Sequence, residues 1–254
     1  HILLCGAESG DLWVWLVPRQ STKTLPGHDS SFECGAVTPD GKRVVAGYGD
    51  GSVRVHDIKQ EASRTVDQYS KHSKEVTCVA CHSGNVVAVS GAADGTVRIF
   101  NVNTSKVLDT VDLNRLDSRS SSSSANNESV EAVGFCAGNN YLAVFAGGHG
   151  TIVVYDISKQ SVRHRIQQPD GATQLCFPPH SSSVFVGGRG GSIREYNILS
   201  GSLITRLIGH SDDILDLSID KSGRILVSAS DDHTARVFSV GSGDPCTADG
   251  ASTL

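Results

Sequence analysis

The chain has 254 residues, 38% of them hydrophobic, and 22 Lys and Arg stand against 27 Asp and Glu for a net charge of -5. That is enough apolar material for a continuous core, and the charge balance gives no chain-wide attraction to nucleic acid or an anionic membrane. No apolar run approaches the roughly 20 residues of a bilayer-spanning helix, and residues 1–5 lack a signal peptide's charged start and cleavage site, so neither direct nucleic-acid binding nor membrane insertion is expected.

In chain order, six segments repeat one pattern: small residues, a tight turn, then an alternating strand ending on an aromatic or its substitute. They run from Gly6 to Trp15, Gly49 to Asp57, Ala93 to Asn101, His149 to Asp156, Gly190 to Asn197 and Asp231 to Phe238. Their terminal positions, 15, 56, 100, 155, 196 and 238, are spaced by 41, 44, 55, 41 and 42 residues. This is the period of a four-stranded propeller blade. The long step holds the Ser-rich run from Asp117 to Glu128, too polar to bury apolar surface and read as an inserted loop.

The sequence therefore predicts an all-β, WD-type propeller over 1–240, with blades at about 1–26, 27–69, 70–112, 128–168, 169–208 and 209–240, a Ser-rich loop at 113–128 and a flexible C-terminal tail at 241–254. Alternation places strands from 43–48 onward, through 96–101, 151–156 and 192–198, to 234–240. The first blade lacks its innermost strand and the last an evident outermost one, so the ring is expected to be completed by upstream blades. The chain has no Met and opens inside the apolar run His1 to Cys5, which reads as a fragment of a longer product.

His and Asp recur 22 residues apart as His28 with Asp50, His72 with Asp94, and His210 with Asp232. As chemistry they would be a base and its orienting acid, but no Gly-x-Ser-x-Gly elbow or other nucleophile context accompanies them. Repetition favours buried structural ties, and no catalytic residue, metal or cofactor is assigned. Cys78 and Cys81 have C-x-x-C spacing without the second pair of a zinc site or a βαβ redox context. The seven scattered Cys suit a reducing compartment and a cytoplasmic location.

The segments entering each innermost strand carry Asp29, Glu33, Glu75, Glu128, Glu131, Asp170, Asp212, Asp213 and Asp216 against only Lys71 and Lys74. One end of the propeller is therefore expected to be acidic: either a solvated rim or a docking surface for a basic protein segment. On the second reading Glu33, Glu75, Glu131, Asp213 and Asp216 bind the partner and Phe32 supplies apolar anchoring.

Several stretches resemble one WD-repeat family, the angio-associated migratory cell proteins and their fungal counterpart. They are Thr38 to Tyr48, Asp50 to Val55, Asp57 to Gln60, Val76 to Ala80, Ser129 to Cys136, Tyr155 to Ile157 with Arg163 and His164, Gly209 with His210, and Asp213 to Asp216. The resemblance implies further upstream blades, a mostly cytosolic protein with a surface-associated pool, and roles in cell migration and angiogenesis. Its fungal member, a chaperone of a large-subunit ribosomal protein, implies capture of a basic N-terminal region; the family's heparin-binding stretch lies upstream of this chain. This sequence departs from the pattern at His56 for Trp, at Lys71 for Gly, and at His149 and Gly190 for Asp, so the fourth and fifth repeats are expected to rely on packing rather than polar ties. The alternatives are a signalling adaptor using the blade sides or the Ser-rich loop, switched by phosphorylation, and more remotely a hydrolase.

Overall fold

The computed structural model describes residues 2–67, 71–116, 128–139, 141–240 and 252–253. The chain is an all-β propeller fold built from six antiparallel sheets in sequence order. It divides into two compact units, residues 1–133 and 134–254.

The first unit opens with a three-stranded sheet: β1 (Ile2–Gly6), β2 (Leu12–Leu16) and β3 (Ser21–Leu25). Next come β4 (Phe32–Val37), β5 (Arg43–Tyr48), β6 (Val53–Asp57) and β7 (Ala62–Thr65), then β8 (Val76–Cys81), β9 (Val87–Ala92), β10 (Thr96–Asn101) and β11 (Lys106–Asp112). One helical turn, α1 (Leu113–Leu116), follows, and the unit boundary falls inside β12 (Val130–Phe135). The second unit continues with β13 (Leu142–Gly147), β14 (Thr151–Asp156) and β15 (Ser161–Gln167), and then β16 (Gln174–Cys176), β17 (Ser183–Gly187), β18 (Ile193–Asn197) and β19 (Leu203–Leu207). Its last sheet holds β20 (Ile214–Ile219), β21 (Ile225–Ser230), β22 (Ala235–Ser239) and β23 (Ser252–Thr253).

Three boundaries differ from the sequence reading. Ser252 and Thr253 pair with Val237 and Arg236 as a fourth strand where a flexible tail was expected. Leu113, placed in the inserted loop, is buried on α1, and Glu128 at the loop's other end is buried too. The rest of the Ser-rich run, 117–127, and residues 241–251 lie outside the described residues.

The second strands of the interior sheets read as nearly continuous apolar runs because both faces are covered. Val44, Val45 and Ala46 on β5 are fully buried, as are Leu142 to Ala146 on β13. On β5 alternate residues serve opposite neighbours: Val44 and Ala46 pack with Leu12, Val14 and Leu25 of the preceding sheet, and Val45 packs with Val76, Ala88 and Phe100 of the next. Glycines let consecutive sheets approach. A Cβ on Gly47 would stand 2.5 Å from Val76 Cγ1, and one on Gly187 would stand 2.7 Å from Ile214 Cγ2. In both cases a small residue on a second strand receives a branched one from the next sheet's first strand.

In four of the six repeats the residue after the aromatic position holds the following turn. Asp57 Oδ1 accepts the backbone N–H groups of Lys59 and Gln60, and Asn101, Asp156 and Asn197 repeat the arrangement. Short carboxylate or amide side chains satisfy these otherwise unpaired donors locally.

Candidate functional site

Two features carry polar chemistry: the His–Asp ties inside the sheets and the acidic residues entering the first strands. In the last sheet, His210 Nδ1 lies 2.8 Å from Asp232 Oδ2 and Nε2 lies 2.7 Å from Ser228 Oγ. Asp232 Oδ1 also accepts the Thr234 hydroxyl at 2.6 Å and its backbone N–H at 2.9 Å, and the Ser211 N–H reaches Oδ2 at 3.1 Å. The Thr234 hydroxyl bond, aided by the His210 and backbone donors, holds the Asp232 carboxyl below the usual carboxylate range despite its desolvation. Ionised Asp232 favours the proton on Nδ1, which leaves Nε2 to accept from the Ser228 hydroxyl.

The third sheet repeats this network. His72 Nε2 lies 2.9 Å from Ser90 Oγ, Nδ1 lies 2.8 Å from Thr96 Oγ1, and Asp94 Oδ1 stands 3.5 Å from Nδ1. Burial alone would raise Asp94, but hydrogen bonds from His72, Thr96 and Ser73 outweigh it and depress the carboxyl. Burial pushes the His72 pKa down, keeping the ring neutral.

The second sheet keeps a looser tie. His28 Nε2 stands 3.3 Å from Asp50 Oδ2, an oxygen it shares with Lys71 Nζ at 3.3 Å. Its ring meets Tyr48 edge-on at 5.0 Å, and the Tyr48 hydroxyl lies 3.2 Å from Nε2 of His56, the residue in the usual Trp position. His56 is wholly buried, with no partner for Nδ1 among the described residues, and desolvation lowers its pKa to about 4.

These networks bring a hydroxyl within hydrogen-bond reach of each of two His–Asp pairs, which corrects the view that no nucleophile context exists. Ser90 and Ser228 lie 18 residues after their histidines on the neighbouring strand, outside any elbow motif. The order acid, base and hydroxyl is that of a hydrolytic triad. Ser228 is only 1% exposed and Ser90 is fully covered, so a substrate carbonyl cannot reach either oxygen in this conformation.

The fifth repeat departs from the expectation of packing alone. Asp170, from the loop before β16, accepts Ser192 Oγ at 2.8 Å and Arg194 Nη2 at 2.6 Å. Arg194 is buried, and its guanidinium is the main reason the Asp170 carboxyl sits below its ordinary range. The carboxylate missing at Gly190 is thus replaced from a neighbouring loop, so Asp170 is already committed within the fold. In the fourth repeat Gln168 is fully buried and donates to the Gly171 carbonyl at 2.6 Å.

Among the expected partner-binding residues, Glu33, Glu75 and Asp216 are exposed, while Asp213 and Glu131 are half-buried. Glu33 accepts the Ser31 hydroxyl at 2.5 Å, Asp213 accepts the Gly190 N–H at 3.0 Å, and Asp216 accepts from Gln174 at 3.4 Å. Among the described residues no ion pair reaches Glu33, Glu75, Asp213 or Asp216. Glu33, Glu75 and Glu131 lie at the start of β4, β8 and β12 in the first unit, and Asp213 and Asp216 lie at the start of β20 in the second.

Pairing shifts register between Phe32 and Cys34, between Val76 and Cys78, and between Ile214 and Asp216. Glu33, Thr77 and Leu215 are therefore bulge residues, a common means of re-aiming a side chain. Phe32, expected to give apolar anchoring, is half-buried. Its ring lies so close to Gly6 and Gly35 that an added Cβ would clash, and it meets Tyr48 edge-on at 6.3 Å. It joins the first two sheets, with only part of its surface open.

All six cysteines among the described residues are free, and burial pushes the Cys78 and Cys81 thiols up to about 12, which leaves them un-ionised and unreactive. Among the described residues no group of three His, Cys, Asp or Glu could hold a metal ion, and no helix is long and apolar enough to cross a membrane.

The WD domain, G-beta repeat family model matches residues 19–57, 63–101 and 201–239. The angio-associated migratory cell protein of Homo sapiens is 33% identical over 245 residues, covering 94% of this chain and 56% of the relative, and that of Canis lupus familiaris gives the same figures. The U3 small nucleolar RNA-associated protein 15 homolog of Xenopus tropicalis is 29% identical over 222 residues, 87% of this chain and 40% of that protein. The chain thus spans about half the length of the curated relatives it matches. Among solved structures, the computationally designed Ika8 protein superposes with a TM-score of 0.77 at 26% identity, over 96% of this chain and 69% of its own. The chain is a WD40-repeat protein, related along nearly all of its length to the angio-associated migratory cell proteins.

Proposed function

We propose that this chain is a docking module for a basic protein segment, captured by carboxylates at the entries to the first strands. WD40 repeats support the coarser role of protein-interaction scaffold. The finer reading rests on Glu33. It is an exposed carboxylate set at a strand bulge, oriented by the Ser31 hydroxyl and without a cationic partner among the described residues. Glu75 and Glu131 extend the acidic character through the next two first strands of the same unit, and Asp213 and Asp216 carry it in the second unit. Glu33, Glu75, Asp213 and Asp216 retain their attraction for an incoming Lys- or Arg-rich segment, because no cation among the described residues pairs with them.

The resemblance suggests the client: the basic N-terminal region of a large-subunit ribosomal protein. The cell-migration and angiogenesis role belongs to the named relatives and comes to this chain as part of the same proposal, as does a cytoplasmic location with a surface-associated pool. The buried hydroxyls at Ser90 and Ser228 favour a non-enzymatic scaffold over a hydrolase.

The test is a fluorescence titration of the full chain with a labelled basic peptide from such a client at low and moderate salt, repeated on Glu33→Lys and Glu75→Lys. The expected result is binding that weakens with salt and falls about tenfold or more with both charges reversed. Equal affinity in the reversed variant, or none at either salt, overturns the proposal and moves the search to the blade sides and Ser-rich loop.

A further inference from the structure

The outermost strands of the sheets are edges, with backbone donors and acceptors turned away from the fold, and proteins usually blunt such edges with charge or polarity. Most of this chain follows that rule. β3 exposes Ser21, Thr22 and Thr24, β7 exposes Ala62 and Arg64, and β15 exposes Ser161, Arg163, Arg165 and Gln167. β11 exposes one large apolar side chain, Leu108, between Lys106 and Thr110.

β19 breaks the rule. Leu203 and Ile204 are each 52% exposed, and Leu199 before the strand and Ile208 after it are 40% and 51% exposed. Pairing with β18 skips from Leu203 to Thr205, so Ile204 is the bulge residue and is splayed from the sheet. Four large apolar side chains thus gather on one ten-residue edge, more than scattered surface exposure accounts for.

The setting is basic. Arg206 is exposed on β19 itself. The neighbouring edge strand β15 lies close by, since His164 Nε2 is 2.6 Å from the Leu199 carbonyl oxygen and Gly201 stands against His164 and Ile166. β15 therefore runs beside the start of the apolar edge, and it carries exposed Arg163 and Arg165 on either side of His164.

We propose that β19 is a second docking site, which takes an extended segment of a partner protein with alternating acidic and apolar side chains as an added strand. Main-chain hydrogen bonds along the edge give affinity, and alternate side chains give specificity: the apolar ones cover Leu203 and Ile204, and the carboxylates meet Arg163 and Arg206. This partner is opposite in charge to the one proposed for the first-strand entries. The two sites serve different segments.

The test uses the full chain and a fluorescein-labelled octapeptide of sequence Asp-Val-Glu-Leu-Asp-Val-Glu-Leu, with a counterpart carrying Lys for each acid. Anisotropy should show binding of the acidic peptide at least about tenfold tighter than the Lys peptide, lost to a similar extent in Ile204→Lys and unchanged in Leu108→Lys. Hydrogen exchange on the unaltered chain should show new protection in the amides of β19 when the acidic peptide is present, a readout independent of any variant's folding. Binding that survives Ile204→Lys in a folded variant overturns the proposal. So does protection confined to other strands, or a concentration-dependent dimer that buries β19 against a second copy.

Discussion

Within the second unit, the repeats centred on His210 and on Arg194 meet the same structural need with different chemistry. The first buries an imidazole between a carboxylate and a hydroxyl, all three supplied by its own repeat. The second buries a guanidinium against Asp170, which is about a third exposed, and leaves one of its terminal nitrogens without a partner among the described residues. A fully satisfied buried network fixes one geometry and is costly to interrupt, whereas a partly satisfied ion pair near solvent offsets its own desolvation and little more. The repeat that kept His and Asp is therefore expected to be the less tolerant of the two.

The sharpest way to break the comparison is at the junction between these repeats. Gly191 has φ +82, and a Cβ there would stand 2.2 Å from the His210 carbonyl oxygen. Gly191→Ala should cost about 3–5 kcal/mol, the sum of left-handed strain and a backbone clash, read as a fall in the chemical-denaturation midpoint. His210→Ala should follow at about 2–4 kcal/mol, because it opens a cavity and leaves the Ser228 hydroxyl buried without a partner. Gly190, with φ +74 and no atom within 4 Å of an added Cβ, isolates the strain alone. Gly190→Ala should cost about 1 kcal/mol, and a loss equal to that of Gly191→Ala would show that strain dominates both. Arg194→Met keeps the buried stem and removes the charge, so it should change stability by no more than about 1 kcal/mol.

The first unit adds a pH arm. His56 has a folded pKa near 4, against an ordinary 6.5, so the unfolded chain binds a proton that the folded chain refuses. Its contribution is fully present above pH 6.5 and is lost as pH falls from 6.5 toward 4, by up to about 1.4 kcal/mol per pH unit. His72, depressed in the same direction, adds to the slope. His56→Gln retains a hydrogen-bonding partner for the Tyr48 hydroxyl without the titration, so stability measured from pH 7 to 4 should decline less steeply than in the unaltered chain. An unchanged slope would assign the whole effect to other groups.

The repeat was legible in the sequence because it depends on local rules: small residues at tight turns, strand alternation, and a fixed span from His to Asp. The histidines and their carboxylates could be found that way. Their serines could not, since Ser90 and Ser228 look like any strand Ser until β9 and β21 are laid beside the entry loops. Asp170 counted as one more acid on an open rim because its link to Arg194 crosses 24 residues and follows no motif. Phe32 read as a surface anchor because alternation does not reveal that glycines at 6 and 35 make room for its ring. The bulges at Glu33 and Ile204 were hidden for a related reason: a bulge is a relation between two strands, and neither strand announces it alone.

The fit of Gly47 to Val76 and of Gly187 to Ile214 also has a direction along the chain. In each pair the recess belongs to an earlier sheet and the residue that fills it to the first strand of the following one. In a chain emerging from the ribosome, each of these two recesses is synthesised before the side chain that fills it. A repeat inserted by recombination at either junction is therefore expected to survive only if its side chains match both the recess behind it and the strand ahead.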